Sequence, residues 1–200
     1  MSALPLVLGR KGVRIPRLNR CGRTGRKIVK GSRFALAVLA LGTGVARAQS
    51  LEPLVHEGVI SAPIETVWEA WTTDAGLQSW LAPHAEIDFR ISGKMRANYR
   101  AAGSLDDPDT IENTVLAYDP YRMITIRVSG APEGFPFPNA IYEIWTVMYF
   151  EAVAVDRTRI RVVANGFSSG QESQSMRLFF EQGNAQTIQQ MQERIPAAPD

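Results

Sequence analysis

The sequence predicts an α+β fold in which an antiparallel sheet of about seven strands packs against a long C-terminal helix. Between residues 85 and 166, apolar and polar side chains alternate with a period of two, in runs joined by turn residues, which is typical of hairpin-linked strands. Residues 62–81 and 176–195 instead carry apolar side chains at helical spacing. Because the helices lie at the ends of the chain rather than between strands, we expect one helical layer on an antiparallel sheet.

The first elements are a strand and two short helices. Residues 54–61 have an extended, mixed pattern and are predicted to form the first strand. Pro63 suits the first turn of a helix, since its missing N–H would have no partner there. Thr73 is a good N-cap for a second short helix, which Pro83 ends. Three tryptophans of this region are expected to pack the short helices against the sheet, with an aromatic cage as the alternative: Trp68, Trp71 and Trp80.

Six further strands follow, linked by short turns or polar loops. Ser92-Gly93 and Asp119-Pro120 are turn signals between alternating runs. Residues 129–140 form a loop rich in Pro and Gly, and residues 176–195 carry the apolar stripe of the final helix. The predicted strands are 85–90, 94–100, 111–118, 123–128, 141–155 and 158–166.

Charge separates the first 48 residues from the rest of the chain. They hold 11 of the 22 Lys and Arg residues and none of the 20 Asp and Glu residues. The remaining 152 residues carry 11 basic and 20 acidic side chains, a formal charge of −9. A body this acidic argues against nucleic acid as a partner, because phosphate binding requires a basic face.

Residues 1–48 have the order of a secretory signal peptide. Basic residues from 26 to 33 precede the apolar run 34–45, and Ala46-Arg47-Ala48 follows as a cleavage signal. The run is shorter than the roughly 20 residues that a permanent membrane span needs. We therefore expect cleavage after Ala48 and a periplasmic or secreted protein. The alternatives are a basic arm followed by a core helix, or a translation start near Val29 that gives a shorter signal.

The predicted organisation is a signal peptide (1–48), a short linker (49–54), one domain (55–195) and a flexible tail (196–200). The single cysteine, Cys21, lies in the signal peptide, so the mature domain is expected to have no disulfide and no thiol nucleophile. The sequence leaves the oligomeric state open.

Four stretches of the mature chain carry a resemblance to a known family: 60–68, 71–83, 88–93 and 119–122. The first combines a strand with an Ala-Pro helix start, and the second has the form Thr-Asp…Trp-x-x-Pro. The third is similar to an Asp-x-Arg-x-Gly-Gly hairpin, and the last is an Asp-Pro turn. In this order they resemble the START-like (SRPBCC) superfamily, and within it the branch named after the activator of the heat-shock ATPase.

The resemblance implies a helix-grip fold, in which a curved antiparallel sheet surrounds a long helix and leaves a deep central cavity. Members bind lipids, sterols or polyketides, some cyclise or hydroxylate them, and some bind proteins, so the resemblance does not fix a function. Two departures stand out. Ser92 replaces the first glycine of the hairpin, and Gly183-Asn184 replaces a Gly-Trp pair, which is expected to reshape that side of the cavity.

Alternation along the strands predicts which side chains form the cavity wall. A carboxylate prefers water, so the face that carries Glu143 and Glu151 is expected to point outward. The inferred interior is mostly apolar and suits an apolar ligand with one or two hydrogen-bonding groups. Simple packing against the final helix is the alternative. The predicted wall residues are Tyr142, Ile144, Thr146, Met148, Phe150, Ile160 and Val162.

The loop 129–140 is the most suggestive segment for binding. Its prolines stiffen it, and Phe135 and Phe137 are apolar without a strand that would account for them. We predict that the two rings close the cavity or touch a partner. The alternative is that both rings pack onto the edge of the sheet.

Chemistry-bearing residues are sparse. His84 is a candidate general base at the cavity mouth, and Tyr142 and Arg90 are candidate proton handlers. With two isolated histidines and no mature cysteine, no metal and no cofactor is expected. Residues 106–109 lack the glycine and glutamate of a calcium loop, so a solvated acidic loop is the favoured interpretation.

Three functions remain open from the sequence. The favoured one is an exported protein that binds a small apolar or amphipathic molecule in its cavity. The others are an enzyme that acts on a lipid- or polyketide-like substrate in the same cavity, and a protein-interaction module.

Overall fold

The computed structural model describes residues 51–195 and residue 197. The predicted signal peptide (1–48) and its cleavage site lie outside the described residues, as does the tail 196–200 apart from residue 197. No helix of the described part is both long and apolar enough to cross a bilayer.

The described chain folds into seven strands, three α-helices and one short 3₁₀ helix. The strands are β1 (Leu54–Ile60), β2 (His84–Ile87), β3 (Lys94–Asn98), β4 (Ile111–Asp119), β5 (Met123–Gly130), β6 (Trp145–Ala154) and β7 (Arg157–Asn165). The helices are α1 (Ile64–Thr72), α2 (Asp74–Trp80), the 3₁₀ helix Ala140–Glu143 and α3 (Gln171–Arg194).

All seven strands belong to one curled antiparallel sheet, and α3 packs against it, which confirms the predicted helix-grip architecture. The strand order is β1-β7-β6-β5-β4-β3-β2. Consecutive strands from β2 to β7 are neighbours, whereas β1 pairs with β7, so that Leu54 lies opposite Ala164. The two short helices therefore connect β1 at one edge of the sheet to β2 at the opposite edge.

The second short helix begins where the sequence predicts. The backbone N–H of Gly76 donates to Thr73 Oγ1 at 3.0 Å, so Thr73 caps α2. Trp80 of α2 donates its Nε1–H to the Ala70 carbonyl at 2.9 Å, which ties α2 to α1. Both helices thereby present buried aromatic rings to the sheet.

Helix α3 approaches β1 closely at one glycine. A Cβ placed on Gly58 would lie 2.3 Å from Ile188 Cγ2, well inside any normal contact. Only a residue without a side chain lets the helix sit this near the strand.

The predicted strand 141–155 is wrong at its start. Residues 140–143 form the 3₁₀ helix, and β6 begins at Trp145. The cause is a contact distant in sequence: the Glu172 carboxylate accepts the backbone N–H groups of Asn139 and Ala140 at 2.9 and 3.0 Å. Because these two backbone N–H groups donate to a side chain of α3, residues 140–143 turn into the 3₁₀ helix before the chain joins the sheet as β6.

The replacement of a hairpin glycine by Ser92 has a structural consequence. Ser92 has φ +66°, in the left-handed region that favours glycine. Its backbone N–H donates to the Val115 carbonyl at 2.8 Å, which fixes this conformation against β4.

Two clusters of buried side chains form the core. One joins α1, α2 and the C-terminal part of α3 to the sheet, and includes Val67, Trp80 and Ile160. The other joins the N-terminal part of α3 to β1, β7 and the 3₁₀ helix, and includes Phe167 and Met176.

Candidate functional site

A cavity lies between the inner face of the sheet and α3, and both core clusters contribute to its wall. The space within it that can hold the centre of a water molecule is about 100 Å³, and all of the empty space around it, including space open to solvent, is about 930 Å³. Strands β3 to β7, α1, α3 and the loop after β5 all supply wall residues. Most of these side chains are apolar, as expected of a site for an apolar small molecule.

The structure brings four of the seven predicted wall residues to this cavity: Ile144, Thr146, Met148 and Val162. Phe150 and Ile160 point to the same side of the sheet but are buried in the first core cluster, where Phe150 packs edge-on against Trp68 at 5.5 Å between ring centroids. Tyr142 lies on the 3₁₀ helix and is exposed, and its hydroxyl accepts the Ala131 N–H at 3.3 Å. Whether a side chain lines the cavity or packs in the core therefore depends on its position along the strand as well as on the face of the sheet from which it projects.

Polar groups are interspersed among the apolar wall residues. Trp71 of α1 and Asn184 of α3 are only 5% and 4% exposed, and both border the cavity. Tyr99, which follows β3, adds a phenol, and burial raises the pKa of Tyr99 well above its usual value, so the group stays neutral. Asn113 and Thr146 contribute an amide and a hydroxyl.

Sequence reasoning missed Trp71 and Tyr99 as wall residues, and it connected Asn184 with the cavity only through the family resemblance. A signal existed for Asn184, because it lies four residues after Phe180 and four before Ile188, inside the apolar stripe of α3. A polar residue at such a position faces the interior. Trp71 gave no such signal, since it reads as an ordinary core residue.

Three phenylalanine rings gather at the loop after β5. Phe135 packs against Phe137 at 5.7 Å and against Phe179 of α3 at 6.0 Å between ring centroids, in edge-to-face geometry. Phe135 and Phe179 border the cavity, while Phe137 packs behind them. The loop is therefore attached to α3 by aromatic contacts at the boundary of the cavity.

The Glu172 carboxylate anchors this loop from the first turn of α3. It accepts the backbone N–H groups of Ala140 and Asn139, and these hydrogen bonds lower the pKa of Glu172 below its usual value. A charged Glu172 thus holds the aromatic loop in place.

The three candidate proton handlers are not brought together. His84 Nε2 lies 3.3 Å from the Ala101 carbonyl at the outer end of β2. Arg90 forms an exposed ion pair with Asp88 at 2.8 Å. Neither borders the cavity, and Tyr142 lies outside it. No group of three His, Cys, Asp or Glu side chains suited to a metal ion occurs within the described residues.

One charged residue borders the cavity in the part of the chain that the structure describes: Arg127 of β5. It lies opposite the exposed Trp145, and its Nε–H donates to the Tyr142 carbonyl at 2.8 Å. Strand alternation turns its side chain away from Ile126 and Val128, whose side chains face the cavity. The interior of the cavity is therefore uncharged.

Comparisons with known proteins agree with the fold. A family model described as Activator of Hsp90 ATPase homolog 1-like protein matches residues 61–195. A search of the curated proteins found no match.

Solved structures of similar fold include protein MLL2253 from Mesorhizobium loti, at 18% identity and a TM-score of 0.53, over 70% of this chain and 94% of that one. The Aha1 dimer from Colwellia psychrerythraea is similar at 14% identity and a TM-score of 0.56, over 72% and 96%. Norcoclaurine synthase from Thalictrum flavum, in complex with dopamine and hydroxybenzaldehyde, is similar at 11% identity and a TM-score of 0.51, over 84% and 95%.

Proposed function

The chain belongs to the family of Activator of Hsp90 ATPase homolog 1-like proteins, and from that premise we propose that it binds a small apolar or amphipathic molecule in the cavity beneath α3. The observation that carries the proposal is the cavity itself. Its walls are buried side chains of the sheet and α3, and its boundary includes the aromatic loop.

An open apolar space is energetically unfavourable for a domain of this size. Protein interiors are packed as densely as organic crystals, and unfilled apolar volume destabilises the folded state in proportion to its size. Here Met148 and Val162 border that space. A ligand that enters the cavity supplies the missing contacts.

The described wall offers side chains that bind rather than react. It presents methyl groups and aromatic rings, with amides, hydroxyls and an indole N–H between them. Norcoclaurine synthase, a neighbour by fold, was solved with two small aromatic molecules bound. That fact concerns the neighbour, and it supports the proposal by showing that a fold of this kind accommodates ligands of such size.

We further propose that the domain acts outside the cytoplasm. The support is the sequence of residues 1–48, with its basic segment, apolar run and Ala46-Arg47-Ala48. Intact mass of the exported protein tests it, and a secreted chain that still carries residues 34–45 would contradict it.

The binding proposal is tested by mass spectrometry of molecules extracted from natively purified protein, together with a titration of ligand-free protein with Nile red, a neutral fluorophore. We expect a co-purified apolar molecule and saturable fluorescence enhancement that the extracted molecule competes away. Absence of both a co-purified molecule and saturable Nile red binding would refute the proposal. Conversion of the extracted molecule during incubation would instead identify an enzyme.

A further inference from the structure

Two hydrogen-bond donors in the cavity wall have no partner. Trp71 Nε1 and Asn184 Nδ2 each expose less than 1 Å², and neither forms a hydrogen bond with any described residue. Both side chains are more than nine-tenths buried, and both border the cavity. The indole N–H can only donate, so its missing partner is an acceptor.

Other buried polar groups of the described chain differ: Trp80 and Asn98 are hydrogen-bonded, whereas His56 Nδ1, which does not border the cavity, has no partner either. Trp80 donates its Nε1–H to the Ala70 carbonyl at 2.9 Å, next to Trp71 in the same aromatic pair. The buried Asn98 donates its Nδ2–H to the Ser104 carbonyl at 2.8 Å. An unpaired buried donor destabilises a fold by about 1–3 kcal/mol. Trp71 and Asn184 both border one cavity, where a bound hydrogen-bond acceptor would remove this penalty.

The charge of the wall restricts that partner further. The Arg127 side chain is turned to the other face of the sheet, and the remaining wall side chains in the described range are neutral. An ionised carboxylate placed against them would lose its hydration without gaining a counter-charge. A neutral acceptor such as a ketone, ester or amide carbonyl avoids that penalty.

We propose, on the basis of the proposed binding function, that the ligand is an uncharged and largely apolar molecule whose carbonyl-type oxygen accepts hydrogen bonds from Trp71 and Asn184. The apolar body lies against the residues around Met148. Selectivity then comes from the two donors, since a site with unpaired donors rejects an analogue that lacks the acceptor.

Three probes of one shape separate the requirements of the site. They are 2-acetylnaphthalene, which has the acceptor; 2-isopropylnaphthalene, which lacks it; and 2-naphthoate, which is charged. In equilibrium dialysis against the wild-type domain, we expect the ketone to bind about tenfold tighter than the hydrocarbon, as one or two net hydrogen bonds provide. We expect the carboxylate to bind more weakly than the ketone.

Asn184→Leu removes one donor and keeps the side-chain volume similar. We expect the preference for the ketone over the hydrocarbon to fall about fivefold, because the ketone loses a donor that the hydrocarbon does not use. The thermal midpoint of the ligand-free variant should not fall, because no hydrogen bond within the described protein is lost. Trp71→Phe, which keeps a ring against Trp80, tests the second donor through the ketone preference alone, because the smaller side chain itself lowers the stability.

Thr158→Val is the matched control. Thr158 is buried away from the cavity, and its hydroxyl donates to the Ala62 carbonyl at 2.9 Å. Its loss should lower the thermal midpoint and leave the ketone preference unchanged.

The outcomes distinguish the two levels of the proposal. A wild-type domain that binds the ketone and the hydrocarbon equally well overturns the inference and leaves the binding function intact. Tighter binding of the carboxylate than of the ketone overturns the uncharged ligand. A ketone preference that survives both Asn184→Leu and Trp71→Phe overturns the assignment of the donors. If neither the probes nor Nile red bind, the binding function fails as well.

Discussion

Met148→Trp tests whether the cavity is open in solution. Met148 lies on β6, is 1% exposed, and faces the cavity between Ile124 and Val162 on the neighbouring strands. In a fully packed core a larger side chain costs roughly 1–3 kcal/mol of unfolding free energy. Because Met148 borders empty space, we expect the indole ring to enter the cavity and the loss to stay below about 1 kcal/mol.

The same substitution should abolish most of the binding. The ring occupies the volume that a ligand would use, so we expect the affinity for Nile red to fall at least about tenfold, or 1.4 kcal/mol. Urea denaturation measures the stability, and a fluorescence titration measures the binding. In a thermal melt the expected loss is a shift of no more than about 4 °C for a domain of this size.

Ile124→Trp is the control for this experiment. Ile124 pairs with Met148 on the adjacent strand, is equally buried and belongs to the same core cluster, but it does not border the cavity. We expect it to lose at least about 1–3 kcal/mol. Equal losses for the two variants, with a wild type that binds no probe, would refute the open cavity. A Met148→Trp protein that binds and melts like wild type would show that this side chain does not face the cavity.

Three further substitutions test the surrounding structure, each by chemical denaturation. Ser92→Gly should stabilise the domain by up to about 1 kcal/mol, because glycine relieves the left-handed conformation at φ +66°; a loss of stability would contradict this account. Gly58→Ala should cost about 1–3 kcal/mol, because the new Cβ meets Ile188, whereas Gly183→Ala, with no atom within 4 Å, should stabilise α3 by about 0.5–1 kcal/mol; equal effects at the two glycines would exclude the close approach. Glu172→Gln should be less stable than wild type at neutral pH, and since the folded pKa is lowered, that difference should disappear as the pH falls below the usual glutamate value of 4.5 and through the folded pKa; a difference that persists in acid would mean that charge at Glu172 does not hold the loop.

Local patterns were sufficient to predict the elements of this fold. Period-two alternation and turn residues gave the hairpins from β2 to β5, and Pro63 and Thr73 gave the starts of α1 and α2. These signals depend only on residues that are close in the sequence, so they can be recognised without knowledge of the tertiary structure. The start of β6 depended on hydrogen bonds from Asn139 and Ala140 to Glu172, which lies 33 and 32 residues later, and it was therefore predicted wrongly.

The site was less predictable than the fold for a related reason. Alternation along β6 placed Met148 and Phe150 on the same face, and both are buried. Met148 nevertheless borders the cavity, whereas Phe150, two residues later, packs against Trp68. Which stretch of a face lies over empty space depends on how α1 and α3 cross the sheet. The sequence also could not distinguish Trp71 from Trp80. The indole N–H of Trp80 donates to the Ala70 carbonyl, whereas that of Trp71 has no partner among the described residues, and only the structure shows this.

The pairing of β1 with β7 has a consequence for the order of events during synthesis. Leu54 finds its partner Ala164 only after more than 100 further residues have left the ribosome. Until then the first strand of the domain has no neighbour, and α3, which covers it, has not yet been made. Contacts this distant in sequence slow folding. The sheet of a nascent chain with this topology is complete only after β7 has been made, and α3 is made after it.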